Sequence, residues 1–138
     1  MFSTKVLARA ILLLTALLLL YGCNTGKAEV VAYLDAAQPL LDEWRDCFDR
    51  AASTSRIALS SVIGELQAIR RKYSALPVPE PCANMHTNVV NSMNYSIEGF
   101  FAFMEDKNEA EITSIFKLAN HSLDYAMVNL KELVSAYQ

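Results

Sequence analysis

From residue 28 onward, apolar residues recur three and four positions apart, the spacing that lines one face of an α-helix. In the first such stretch Leu34, Leu41 and Phe48 stand seven apart, with Ala37, Trp44 and Ala51 interleaved. This is the narrow seam that a bundle helix buries, and Asp42, Glu43, Arg45, Asp46, Asp49 and Arg50 fall on its solvated side. Pro39 interrupts the seam. Proline removes an amide donor and clashes with the carbonyl four residues back, so a kink or restart near Gln38 is expected. Ala51 to Ser55 is poor helix interior and good capping material, which ends this helix near Ala52 and places the next cap at Ser53 or Thr54. Leu59, Val62, Leu66, Ile69, Tyr73 and Leu76 then form the stripe of a second helix.

Pro77-Val78-Pro79-Glu80-Pro81 cannot be helical and forms a stiff, extended connector. A third helix is predicted from about Cys82 to about Asp106, burying His86, Val89, Met93, Ile97, Phe100 and Met104. Asn108 is placed to cap a fourth, which opens with Glu109 and Glu111 near its positive pole and buries Ile112, Phe116, Ala119, Leu123, Ala126, Leu130, Leu133 and Tyr137. Four amphipathic helices on short connectors pack antiparallel. The predicted fold is all-α, an antiparallel up-down four-helix bundle. The heptad phase also continues from Phe48 through Ser55 to Val62, so a three-helix bundle with one long helix from Pro39 to Leu76 is the alternative.

Residues 1–27 follow a different pattern. Lys5 and Arg9 precede the apolar run Ala10 to Leu20, which only Thr15 breaks. That is the charged and apolar order of a signal peptide, and the run is about half the ~20 residues that a membrane-spanning helix needs. Leu20-Tyr21-Gly22-Cys23 resembles the lipobox of bacterial lipoproteins, with Tyr21 bulkier than usual at the lenient position. The resemblance implies removal of residues 1–22, thioether diacylation of Cys23 and acylation of the new amino terminus. It covers only those first 23 residues; no domain family is recognised beyond it. It divides the chain into a signal peptide at 1–22, a lipidated tether at 23–27 and a helical bundle domain at 28–138. It also implies the cell envelope, on the extracytoplasmic side; Asn24 in place of Asp favours the outer membrane in a cell that has two.

The chain of 138 residues loses 22 in this way, and the remaining 116 suffice for one domain with a true core. Its formal net charge of −3 falls to −5 once Lys5 and Arg9 are gone, which gives no basic footprint for nucleic acid. The four glycines and four prolines are too few for the turns of a sandwich or barrel.

Few residues offer chemistry. Cys47 and Cys82 invite a disulfide in an exported protein, but a second helix of about 22 residues would separate them by roughly 33 Å, beyond disulfide reach; they can meet only if that helix ends early and Ser74 to Pro81 runs back up the bundle. Cys82 and His86 stand four apart on one helical face, a spacing able to hold a soft metal or to serve a metal or haem carrier. His121 falls on the far side of its own helix, so the two histidines do not converge. Arg70, Arg71 and Lys72 are the basic cluster, and an up-down topology would turn them toward the membrane beside Cys23. Val90, Ile97 and Phe101 are the candidate partner patch. No phosphate loop, H-E-x-x-H or nucleophile elbow is present, so no catalytic residue is assigned. The expectation is a non-enzymatic, lipid-anchored module that binds another envelope protein, with no cofactor besides the covalent lipid.

Overall fold

Residues 30 to 51 of the first helix hold their apolar side chains on one stripe, and that stripe sets the bundle. The computed structural model describes residues 4–137, with side chains from Gly26 onward. Four helices run up and down: α1 (Thr4–Ser53), α2 (Leu59–Ser74), α3 (Ala83–Met104) and α4 (Glu109–Tyr137). Single 3-10 turns at Arg56–Ala58 and Glu80–Cys82 precede α2 and α3, and no strand occurs among the described residues. The fold is thus an all-α four-helix bundle. The expectations for residues 1–22 and for the Cys23 thiol concern side chains outside those described.

α1 runs through Pro39 without the expected restart. Pro39 and Asp35 both face solvent, so water can take the Asp35 carbonyl that the missing amide leaves without its helical partner. The buried seam is Val30, Tyr33, Ala37, Cys47 and Ala51, with Leu34, Leu41, Trp44 and Phe48 half-buried beside it. The helix is therefore rotated by about one position from the heptad reading, with Tyr33 and Cys47 inside where Leu34 and Phe48 were expected.

The turn after α1 also differs. Ser53 Oγ donates to the Asp49 carbonyl at 2.8 Å and Thr54 Oγ1 to the Arg50 carbonyl at 2.6 Å. The hydroxyls close α1 instead of capping α2, whose α-helical part begins only at Leu59. α2 is consequently 16 residues long, not about 22. Its stripe is as predicted up to Tyr73: Leu59, Val62, Leu66, Ile69 and Tyr73 are buried, joined by Ile63. Burial of each such leucine or isoleucine stabilises by about 1.5–3 kcal/mol.

Because α2 stops early, residues 75–79 run back as a strap beside the lower part of α1, extended at Pro79 with φ −68° and ψ 149°; Glu80 and Pro81, expected to be extended, instead open the 3-10 turn before α3. α3 packs on α2 and α4. It ends in a Schellman motif, with the Lys107 amide on the Ala102 carbonyl at 3.0 Å and Asp106 in the left-handed region at φ 60°. Asn108 caps α4 as expected, its Oδ1 accepting from the Glu111 amide at 2.9 Å. The core falls into a lower cluster around Tyr33, Tyr73, Cys82 and Met93 and an upper one around Cys47, Leu59, Leu66 and Phe100. Trp44 packs against both.

Candidate functional site

The lower cluster contains a polar centre. Tyr33 from α1, Tyr73 from the last turn of α2 and His86 from the first turns of α3 meet there. The Tyr33 hydroxyl lies 2.9 Å from the Tyr73 hydroxyl and 2.9 Å from His86 Nδ1. The His86 ring stacks on Tyr73, with centroids 4.9 Å apart and planes 9° from parallel. One proton order satisfies all three groups: Tyr73 donates to Tyr33, and Tyr33 donates to Nδ1 of a neutral imidazole. Burial keeps all three groups neutral. It lowers the His86 pKa and raises those of both tyrosines, with the neighbouring phenol adding to the rise at Tyr33.

Beside this centre Tyr33 forms part of an open groove of about 420 Å³ between α1 and the strap, lined chiefly by Ala32, Ala36, Leu76, Pro77 and Val78. Glu29 is its only ionisable carboxylate. The groove is apolar, and no nucleophile or general base other than that carboxylate reaches it.

The upper end offers a second concavity, built from aromatic rings. Phe48 and Phe100 lie 5.2 Å apart and Phe100 and Phe116 5.3 Å apart, in tilted and edge-to-face pairs. With Phe103, Ile112 and Ala51 they line a cleft of about 350 Å³. Gly99 makes room for the Phe116 ring: a Cβ there would stand 2.7 Å from its Cζ. At the edge, Arg56 reaches Asp106 Oδ1 at 2.7 Å and its guanidinium lies 5.4 Å from the Phe103 centroid. That contact ties the α1–α2 turn to the α3–α4 turn. The next residue, Ile57, is 97% exposed. An isoleucine left almost wholly in water, three positions after Thr54, which lines the cleft, is the most conspicuous feature of the surface.

Several sequence expectations need correction. Ile97 is buried in the upper cluster and Val90 is half-buried against the lower one, so with Phe101 they do not form a surface patch; only Phe101 is exposed. α3 lies between α2 and α4, which hides residues that one partner helix would leave open. Arg70, Arg71 and Lys72 are not beside Cys23. Lys72 pairs with Glu43 at 3.5 Å and the next residue, Tyr73, meets Tyr33 at 2.9 Å, which puts the end of the cluster between 10 and 20 residues along α1 from Cys23, about 15–30 Å at 1.5 Å per residue. The shortened α2 accounts for this displacement.

Cys47 and Cys82 are free and buried, in different core clusters, and burial raises both thiol pKa values. His86 spends Nδ1 on Tyr33, while His121 is exposed beside Tyr125 on α4. Among the described residues no three His, Cys, Asp or Glu side chains converge as metal ligands. Sequence reasoning missed Tyr33 and Ile57. Tyr33 lay one position from the chosen seam, and Ile57 could have been flagged as a lone large apolar residue among Ser53, Thr54, Ser55 and Arg56.

On α4 the predicted stripe is only partly inside. Ala119, Ala126 and Leu133 are buried, whereas Leu123 is 45% exposed. Among the described residues no helix is long and apolar enough to cross a membrane. No protein-family profile, no characterised protein and no solved structure matches this chain, so its bundle is assigned to no domain family.

Proposed function

We propose that this protein is an extracytoplasmic lipoprotein, cleaved before Cys23 and held at the cell envelope by lipid on that thiol, and that its bundle docks another envelope protein through the end farthest from the anchor. The role is accessory and non-enzymatic, with no cofactor apart from the lipid. The outer membrane is the favoured site where two membranes exist. The Leu20-Tyr21-Gly22-Cys23 motif supports the anchor. A buried acyl methylene contributes about 0.8 kcal/mol, so two or three chains hold a small domain firmly.

One observation carries the docking reading: Ile57 is 97% exposed in the turn whose Thr54 lines the Phe48, Phe100, Phe103 and Phe116 cleft and whose Arg56 lies over Phe103. Interface anchors are large apolar side chains set against such concavities, ringed by polar groups that exclude water. Arg56 and Asp106 supply that ring here.

A photo-crosslinking residue at position 57 in intact cells tests it, with the same residue at the solvent-facing Glu98 as control. A discrete adduct from position 57 alone, lost when Phe103 is replaced by Asp, is the expected result. Absence of any adduct in cells where the acylated protein is present refutes the docking role. A mature protein that keeps Met1 and carries no fatty acid refutes the anchor.

A further inference from the structure

We infer that the lower corner of the bundle, where the first described turns of α1 meet the last turns of α4, rests on the lipid surface as a second, non-covalent contact beside the anchor. This rests on the reading of Cys23 as the lipidated residue. A small groove of about 160 Å³ joins the two helices there, between Lys27, Val31 and Leu34 on α1 and Leu133, Val134 and Tyr137 on α4. Val31 is 46% exposed, Met127 48% and Val134 41%, with half-buried Leu130 between the last two. Scattered apolar residues on a surface are ordinary, but these run together across two helices.

Three features select a bilayer as the occupant. The first is register: Lys27, Val31 and Leu34 are 4 and 7 residues apart and share a face of α1, and Lys27 follows Cys23 by four positions, about one turn, so the proposed anchor position lies at the foot of this corner. The second is charge. Exposed Lys27 and Lys131 border the corner. Glu29 and Glu132 are two residues from Val31 and Val134, about 200° around their helices and so on other faces. The nearest acids on the same faces, Asp35 and Asp124, come about one turn farther from the anchor, which limits the contact to the corner. The third is composition: lysines flanking aliphatic side chains, with Tyr137 at the edge, make the kind of surface that lies at a headgroup boundary. The basic contact is therefore Lys27 and Lys131, not the Arg70 to Lys72 cluster. The bundle leans on this edge and leaves Ile57 clear of the membrane.

The test uses the full chain, acylated in cells, reconstituted into phosphatidylcholine and phosphatidylglycerol vesicles, with its lipid verified by mass. An environment-sensitive fluorophore is placed through Met127→Cys, with Ile57→Cys as control, the two native described thiols being buried. Quenching by nitroxide-bearing lipid should remove more than half of the emission at position 127 and leave position 57 unchanged. Val31→Glu with Val134→Glu, both at exposed sites, should return position 127 to solvent values while the protein still floats with the vesicles. The milder Lys27→Gln with Lys131→Gln should reduce the quenching without altering helix content. Acylated, floating protein with an unquenched probe at 127 overturns the corner contact alone. So does a probe shielded by a second copy, seen as doubled mass without nitroxide quenching. Absence of lipid on Cys23 overturns the anchor and the corner together.

Discussion

Removing one oxygen, in Tyr33→Phe, tests the account of the polar centre. In the folded protein that hydroxyl is the middle of a chain, with Tyr73 on one side and His86 Nδ1 on the other, each at 2.9 Å. Both bonds vanish together. Each contributes about 1 kcal/mol net, and the stranded Tyr73 hydroxyl, on a residue with no exposure, adds about 1–3 kcal/mol for burial without a partner. Half-buried His86 can recover some bonding from water. The expected loss is about 2–4 kcal/mol, or roughly 8–16 °C in Tm for a domain of this size. Tyr73→Phe breaks only the outer bond and leaves Tyr33 donating to His86, so it should cost about 1 kcal/mol. The double variant should cost less than Tyr33→Phe alone, because it also removes the Tyr73 hydroxyl that the first change leaves stranded. Urea unfolding followed by helical circular dichroism measures all three. A Tyr33→Phe midpoint within about 0.5 kcal/mol of the parent, or a Tyr73→Phe loss equal to it, would refute the chain of donors described here.

Four further outcomes follow from the same contacts. The His86 pKa is lowered by burial from its usual 6.5, so the unfolded chain binds the proton more readily and stability should fall as pH drops below about 6.5, levelling once the folded pKa is passed. His86→Gln should flatten that step in urea midpoints taken from pH 7.5 to 5. Gly99→Ala would press a methyl into the Phe116 ring; the variant should lose about 1–3 kcal/mol and bind apolar dyes differently at the upper cleft, and a neutral result would mean that the ring swings out freely. Asp106→Ala should destabilise by about 1 kcal/mol while Asp106→Asn stays near the parent, since asparagine tolerates the left-handed region; thermal melts compare them. A thiol reagent should find Cys47 and Cys82 inert in the native state and both reactive in denaturant, and rapid native labelling would contradict their burial.

Much of the fold was legible because period and punctuation agreed. The α2 stripe to Tyr73, the non-helical backbone of Pro77 to Pro79 and the Asn108 cap all rest on local chemistry that tertiary context does not reverse. What was hidden depended on partners far along the chain. Tyr33 displaces Leu34 from the core because Tyr73 and His86, 40 and 53 residues away, satisfy its hydroxyl. Ser53 and Thr54 read equally well as acceptors opening a helix or donors closing one, and the structure uses them as donors. That choice shortens α2 and lifts the Arg70 to Lys72 cluster away from Cys23. The regular spacing on α4 predicted a fully buried stripe, yet the helix leans chiefly on α3 and leaves Leu123 exposed.

The unbroken α1 has a mechanical meaning. From residue 23 to its end at Ser53 it is a single rod of 30 residues beyond the anchor position, about 45 Å long at 1.5 Å per residue, and the turn bearing Ile57 follows within four positions. Under the proposed anchor at Cys23, a pull between that end and a load held at the tip would act along the axis of one helix. The other three would ride alongside as ballast, stiffening the rod without having to be pried apart.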